Sequence, residues 1–477
     1  MARRVFAWVL LIGFVLLILN IVVFGFQRAA SIILYLVVIV TYIFAFNMGK
    51  PKTKDFEVGK VKFRYGFGKG FADFELMVNN ILHELHQNEV EVDLTGEAEV
   101  KRALMNPIGT PKVGDIVKPG EKIVIVTSDI TRPLPSKVIL PELVKEILRS
   151  GAEEKDITIV FALGSHRKHT EDEKKYLVGE EIYNRIKCID SDTSDFVRMG
   201  ISEMGTPVDI FSVVANADRR ICLGNIEYHY FAGYSGGAKA ILPGVSTRDT
   251  IQANHSAMVK AAARAGAISD NPVRQDIEEV AKYVNIDFIV NVVLDEDKNI
   301  IKAVAGHHVE AHREGCKFLD SLYKIEIPEK ADIVITTPGG FPKDINLYQA
   351  QKALDNSKNA VKDCGIIILL ASCKEGMGEE VFERWMKNAT SPDSLIKDIQ
   401  ENFELGGHKA AAIALVLKKA RVFLVSDFKP EEVKNMFMEP FGSVNEALKE
   451  AFKVLGQDAK VILMPHGGST LPVLVKE

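Results

Sequence analysis

The chain reads as an α/β protein: two α/β domains with mostly parallel sheets and an interdomain active-site cleft, preceded by two transmembrane helices. Three observations predict it. Short β-branched runs alternate with longer amphipathic stretches along most of the 477 residues. The runs are continuously apolar rather than alternating, as in strands covered on both faces by helical crossovers. Polar, glycine-bearing clusters follow the runs, at the carboxyl ends where open parallel sheets hold their ligands.

At the N-terminus, residues 5–26 (VFAWVLLIGFVLLILNIVVFGF) carry no charge and are long enough to span a bilayer, and 29–46 form a second uncharged run. Arg3 and Arg4 precede the first run, Lys50, Lys52 and Lys54 follow the second, and Arg28 lies between. The positive-inside rule then places both ends in the cytoplasm. The expectation is a multi-pass cell-membrane protein, its two spans within residues 1–49, with a linker at 50–56 and a body facing the cytoplasm. The first run exceeds an ordinary signal-peptide core.

Strands are expected at Lys122–Thr127, Asp156–Leu163, Arg220–Gly224, Ile286–Leu294, Asp332–Thr336, Gly365–Ala371, Arg421–Ser426 and Lys460–Met464. Helices fall between them, for example Ser136–Arg149 and Leu347–Asp363. A charged, proline-bearing break at Leu322–Lys330 marks a hinge between an N-terminal domain, 57–325, and a C-terminal one, 326–477.

The net charge of -5, with lysine and arginine dispersed, gives no bias toward nucleic acid. Five cysteines form no CxxC pair, which points to a reduced compartment and no zinc knuckle.

Five post-strand loops carry the chemistry: Ser128-Asp129-Ile130-Thr131-Arg132-Pro133, Gly164-Ser165-His166-Arg167-Lys168-His169-Thr170, Glu227–Lys239, Thr337–Gln349 and Pro465–Thr470. They are expected to converge on one cleft. The densest stretch is Glu227–His255, EYHYFAGYSGGAKAILPGVSTRDTIQANH. Its turn, Tyr234-Ser235-Gly236-Gly237, lets the backbone approach a ligand closely, and Lys239 offers a nucleophilic amine or a cation. His229 and His255 bracket that lysine with groups suited to acid/base work or metal ligation.

Plainer readings stand beside these. His166 could belong to a solvated basic loop, Arg132 could pair with Asp129, and His229 could be a buried histidine on a backbone carbonyl. Lys239 could hold a phosphate electrostatically, and His255 could cap a helix beginning near Thr250. His307, His308 and His312, like His83 and His86, suit surface or helix-start roles.

SDITRP, GSHRKHT, the Glu227–His255 stretch and GGFPKDINLYQAQKA together resemble the nickel-dependent lactate racemase family, over about residues 57–475. The resemblance implies a racemase or epimerase of 2-hydroxy acids that works by hydride transfer to a nickel-pincer nucleotide. It implies that Lys239 links covalently to that cofactor, His255 ligates its nickel, and His166 and His229 form the acid/base pair. Asp129, Thr131, Tyr234, Ser235, Gly236 and Gly237 are expected to hold the cofactor. Arg132, Gln349, Lys352 and His408 are expected to hold the substrate. Proteins that build the cofactor are implied partners, along with a small-molecule substrate and, through the hairpin, the membrane.

Two histidines suit the chemistry, since each enantiomer needs its own base near the hydroxyl. Lactate-active members are expected to carry a tryptophan in the second domain, where this chain reads Leu405-Gly406-Gly407-His408-Lys409. His408 and Lys409 near the pocket suggest a larger or more anionic acid than lactate, dicarboxylic or sugar-derived. Two rival functions remain: a phosphate-binding transferase using Lys239 as a point charge, and a membrane-tethered sensor without turnover.

Overall fold

The computed structural model describes residues 59–295 and 297–475. The runs at 5–26 and 29–46, and the expected membrane hairpin with them, lie outside these residues. Among the described residues, no helix is long and apolar enough to cross a membrane. The described residues from Phe63 onward form one compact unit that holds both large sheets.

The chain opens with a hairpin of β1 (Lys60–Phe67) and β2 (Gly70–Met77), then β3 (Ile81–Glu84). Next come β4 (Ile123–Ser128), β5 (Ile157–Ala162), β6 (Lys187–Asp190), β7 (Phe196–Ile201), β8 (Pro207–Phe211) and β9 (Arg219–Asn225). A small hairpin, β10 (Tyr228–His229) and β11 (Gly233–Tyr234), precedes β12 (Phe288–Leu294), β13 (Ile300–Gly306) and β14 (Lys324–Ile327). The chain ends with β15 (Ala331–Thr336), β16 (Val361–Leu370), β17 (Arg421–Val425), β18 (Glu439–Phe441), β19 (Val461–Met464) and β20 (Leu471–Leu474).

The first sheet has the order β13-β12-β9-β4-β5-β6, parallel except for the antiparallel edge β13. The second, β18-β17-β16-β15-β19-β3, is parallel throughout. Both faces are apolar because alternate residues of one strand enter different cores. Ile125, Ile159 and Ile221 pack beneath the helix Ser136–Leu148, whereas Val124, Val160 and Cys222 face the opposite core. That two-sided burial is why the strands read as unbroken apolar runs. All eight expected strands are present to within a few residues. The helix expected at Leu347–Asp363 stops at Ser357, because the chain turns into β16 at Val361.

Two features depart from expectation. The segment Leu322–Lys330 is no loose hinge, since its residues 324–327 form β14, which pairs in parallel with β20. The chain's opening is also not part of the first sheet: β3 completes the second sheet beside β19.

Candidate active site

One cavity opens at the carboxyl ends of β4, β5 and β9. Asp129 and Arg132 line it from the first loop, His166 from the second, and His229, Ser235, Gly236 and Lys239 from the third. His255 enters from the helix Arg248–His255, while Phe403, Leu405 and His408 form a wall contributed by the C-terminal domain. The three first-sheet loops therefore converge as expected. The loops after β15 and β19 do not join them: Gly467 N–H donates to the Thr337 carbonyl at 2.9 Å, and Thr337 Oγ1 donates to the Gly66 carbonyl at 3.0 Å.

His166 stands beside Asp129, its Nδ1 2.7 Å from Oδ2. A carboxylate only accepts, so Nδ1 is the donor and Nε2 is the nitrogen left for other partners. Burial opposes ionisation of Asp129, but hydrogen bonds from His166 and Thr131 outweigh it and hold the carboxyl below its ordinary range. Arg132 makes no pair with that carboxylate; its backbone N–H donates to the Asp129 carbonyl at 3.1 Å. His169 is structural. Its Nδ1 lies 2.6 Å from Asp190, and its Nε2 accepts the Ile130 N–H at 3.0 Å, clasping the Asp129 loop from below.

Lys239 follows a turn held by buried polar groups. Asn291, the one polar residue inside β12, accepts the Gly237 N–H at 2.6 Å. Arg274 donates to the carbonyls of Tyr234 and Ala232, and His312 Nε2 donates to the Ser235 carbonyl at 2.8 Å. Gly236 sits at φ +75°, and a Cβ there would fall 2.7 Å from Asn291 Oδ1. Burial, reinforced by Arg274 and Arg132, pushes the Lys239 amine well below its usual pKa, toward the neutral, nucleophilic form.

The two flanking imidazoles are fixed as different tautomers. The Ala232 N–H donates to His229 Nδ1 at 3.2 Å, so neutral His229 carries its proton on Nε2. His255 is the reverse case. Asn254 Nδ2 donates to Asp276 at 2.8 Å and to the Val273 carbonyl at 3.1 Å, which turns its Oδ1 toward His255 Nδ1, 2.9 Å away. His255 must therefore hold its proton on Nδ1 and leave Nε2 unprotonated, the state a metal ligand requires. Burial, then the neighbouring Lys239, holds both rings neutral. His255 closes its helix, whose N-cap is Thr247, rather than capping its start.

Several expected contacts fall elsewhere. Tyr234 is buried, with its hydroxyl 2.7 Å from Asp320, so it braces the hairpin instead of facing the cavity. Thr131 and Gly237 act through their neighbours, and Gln349 and Lys352 lie exposed on the helix Leu347–Ser357, outside the cavity lining. Lys409 is drawn aside: its Nζ donates to the Tyr348 carbonyl at 2.6 Å. His312 is fully buried, not a surface residue, while His307 does sit at its helix start.

The sequence reading passed over Asn254, Asp276, Asn291 and Arg274. A lone asparagine in the apolar run FIVNVVL was the visible signal for one of them. Phe231 and Phe403, whose ring centroids lie 4.9 Å from His255 on two sides, carried no polar signal at all.

A parallel-sheet α/β scaffold presenting a buried amine and several oriented imidazoles in one cavity defines an enzyme site equipped for acid/base chemistry. Family models describe it further: the lactate racemase N-terminal domain matches residues 67–266, and the lactate racemase C-terminal domain matches 327–472. The chain belongs to the lactate racemase family and is a racemase, an isomerase. It is 37% identical over 423 residues to a lactate racemase of Thermoanaerobacterium thermosaccharolyticum, covering 86% of this chain and 98% of that protein. A lactate racemase of Lactiplantibacillus plantarum is 37% identical over 393 residues, 80% of this chain and 92% of the relative. The solved lactate racemase apoprotein from T. thermosaccharolyticum superposes with a TM-score of 0.78 at 36% identity, covering 86% of this chain and all of that one. A Thermotoga maritima protein at 17% identity shares the fold, with a TM-score of 0.57 over 80% of this chain and all of that one.

Proposed function

We propose that this racemase inverts the C2 centre of a 2-hydroxy carboxylic acid with a nickel-pincer nucleotide joined covalently to Lys239. The observation that carries the reading is the shared cavity of Lys239, His255 and His166, with the Lys239 amine and the His255 ring both held toward their neutral forms by burial.

The residues fit the group. Lys239 is held toward the free amine, suited to acylation. His255 presents an unprotonated Nε2. Among the described residues no cluster of three or more His, Cys, Asp or Glu could hold a metal, so nickel here would draw its other ligands from the cofactor. Gly236 allows the close backbone approach a bulky ring needs. When bound, the group would supply a reversible hydride acceptor next to Lys239 and His255.

The protein's own residues do the rest. His166 takes the hydroxyl proton at Nε2, oriented by Asp129. Inversion at C2 requires a planar 2-keto acid that turns within the pocket, and the pocket's residues would have to hold its carboxylate and oxygen in both orientations. The proton held on His166 would return to the oxygen as the carbon is reduced, while neutral His229 donates a hydrogen bond from Nε2–H and gives up no proton, so the second base implied by the resemblance is replaced by a hydrogen-bond donor. Arg132 supplies the cation for the carboxylate, and Gln349 and Lys352 would join it only if the helix Leu347–Ser357 moved inward. Phe231 and Phe403 exclude water around His255.

Intact mass of the purified holoenzyme tests this. An adduct that maps to Lys239 supports it, whereas an unmodified lysine with loosely bound nucleotide supports phosphate binding and refutes the covalent link. The apolar runs at 5–26 and 29–46 further suggest a two-span membrane anchor with the body in the cytoplasm. Fractionation checks this proposal: the full chain should pellet with membranes and a chain starting at residue 57 should not. Enzymes that assemble the nucleotide are proposed partners.

A further inference from the structure

Resting on that 2-hydroxy-acid reading, we propose that His408 sets the specificity of the pocket. It selects an acid with a hydrogen-bond acceptor on the carbon next to the reacting one, a polyhydroxylated sugar acid in preference to lactate.

His408 enters the cavity from the C-terminal domain, opposite Arg132 and His166. Its ring lies between Phe403 and Tyr230, with centroids 5.6 and 6.1 Å away. The Gly406 N–H donates to Nδ1 at 2.9 Å, so the proton sits on Nε2, and among the described residues the Glu404 backbone is the one further partner that acts on the ring. Burial, followed by the charges of Lys409 and Arg132, pushes this imidazole down to about 3, so it is a neutral donor at any working pH. A neutral N–H on a buried ring needs an oxygen. A methyl group opposite would leave it unpaired, and sites built around a hydrogen bond discriminate strongly against substrates that cannot complete it.

The loop is built to put imidazole inside and indole outside. A Cβ on Gly407 would fall 2.4 Å from the Trp385 ring, which packs behind the loop with Nε1 donating to Glu404 at 2.7 Å. Trp385 is thus no wall of the cavity. A second carboxylate finds no free cation here either. Lys409, the candidate, has its Nζ on the Tyr348 carbonyl and 4.1 Å from the centroid of that ring. A hydroxyl is therefore the better match than the carboxylate of a dicarboxylic acid.

The test follows C2 inversion by the holoenzyme with an aldonate such as gluconate, with lactate and with malate. The expected kcat/KM for the aldonate exceeds that for lactate and malate by at least about tenfold. His408→Phe should collapse the aldonate-to-lactate ratio at least about tenfold, while His408→Gln, which keeps a donor, should retain it within a few-fold. Equal turnover of lactate, a preference for malate, or a ratio unchanged in His408→Phe would overturn the assignment of His408 and leave the racemase reading standing. Inversion of none of the acids by enzyme carrying the adduct would instead overturn the 2-hydroxy-acid reading beneath it.

Discussion

Lys239 and His255 show how burial and one neighbour prepare a side chain. The amine is kept toward neutrality by desolvation, and Lys239→Ala should abolish both the mass adduct and all inversion, checked on the same preparation. Asn254 matters for a subtler reason. Its amide, locked by Asp276 and Val273, is what denies His255 the other tautomer. With His255 as the proposed nickel ligand, Asn254→Leu should weaken nickel retention by about 10- to 100-fold, the usual cost of losing a ligand's outer partner, measured as metal content after dialysis. The chemistry-bearing residues were legible because glycine, lysine and histidine leave a signature after a strand. Asn254 and Asp276 left none, since an outer partner is defined by a contact between segments remote in sequence.

At the scale of elements, the turn between β11 and Lys239 is the least replaceable piece. Asn291, Arg274 and His312 reach it from three separate elements, and burial lowers the Arg274 guanidinium only to about 10, so it stays charged there. Gly236→Ala would put a methyl against Asn291 at a φ that L-residues avoid. A loss of about 1–3 kcal/mol is expected, read from urea unfolding, with the Asp129–His166 pair unaffected. The strands were legible because both faces are apolar. β3 was not, being a four-residue edge strand whose partner lies far away in the sequence. Leu322–Lys330 misled because proline and charge suggest a linker, whereas four of its residues find a ladder on β20.

Across the whole molecule, several imidazoles are buried in the neutral form. Burial lowers His312 well below its ordinary value, His308 to about 4 and His408 to about 3. The unfolded chain binds these protons first, so stability is full above about pH 6.5 and falls as the pH drops toward the folded values. Each such ring adds about 1.4 kcal/mol per pH unit to the slope. The apoprotein should lose melting temperature steadily from pH 6.5 to pH 5, and His312→Phe should flatten that loss if the phenyl ring is accommodated.

One thread of the fold also constrains how the polymer is made. Among the described strands β3 is the third off the ribosome, yet the neighbour it hydrogen-bonds, β19, is the last but one. Until synthesis is nearly over, one edge of the second sheet has no occupant and the early strand has no ladder. A nascent chain stalled or clipped shortly before Val461 should therefore be left with a protease-sensitive segment at Ile81–Glu84, a loss late in the sequence registering far earlier in it.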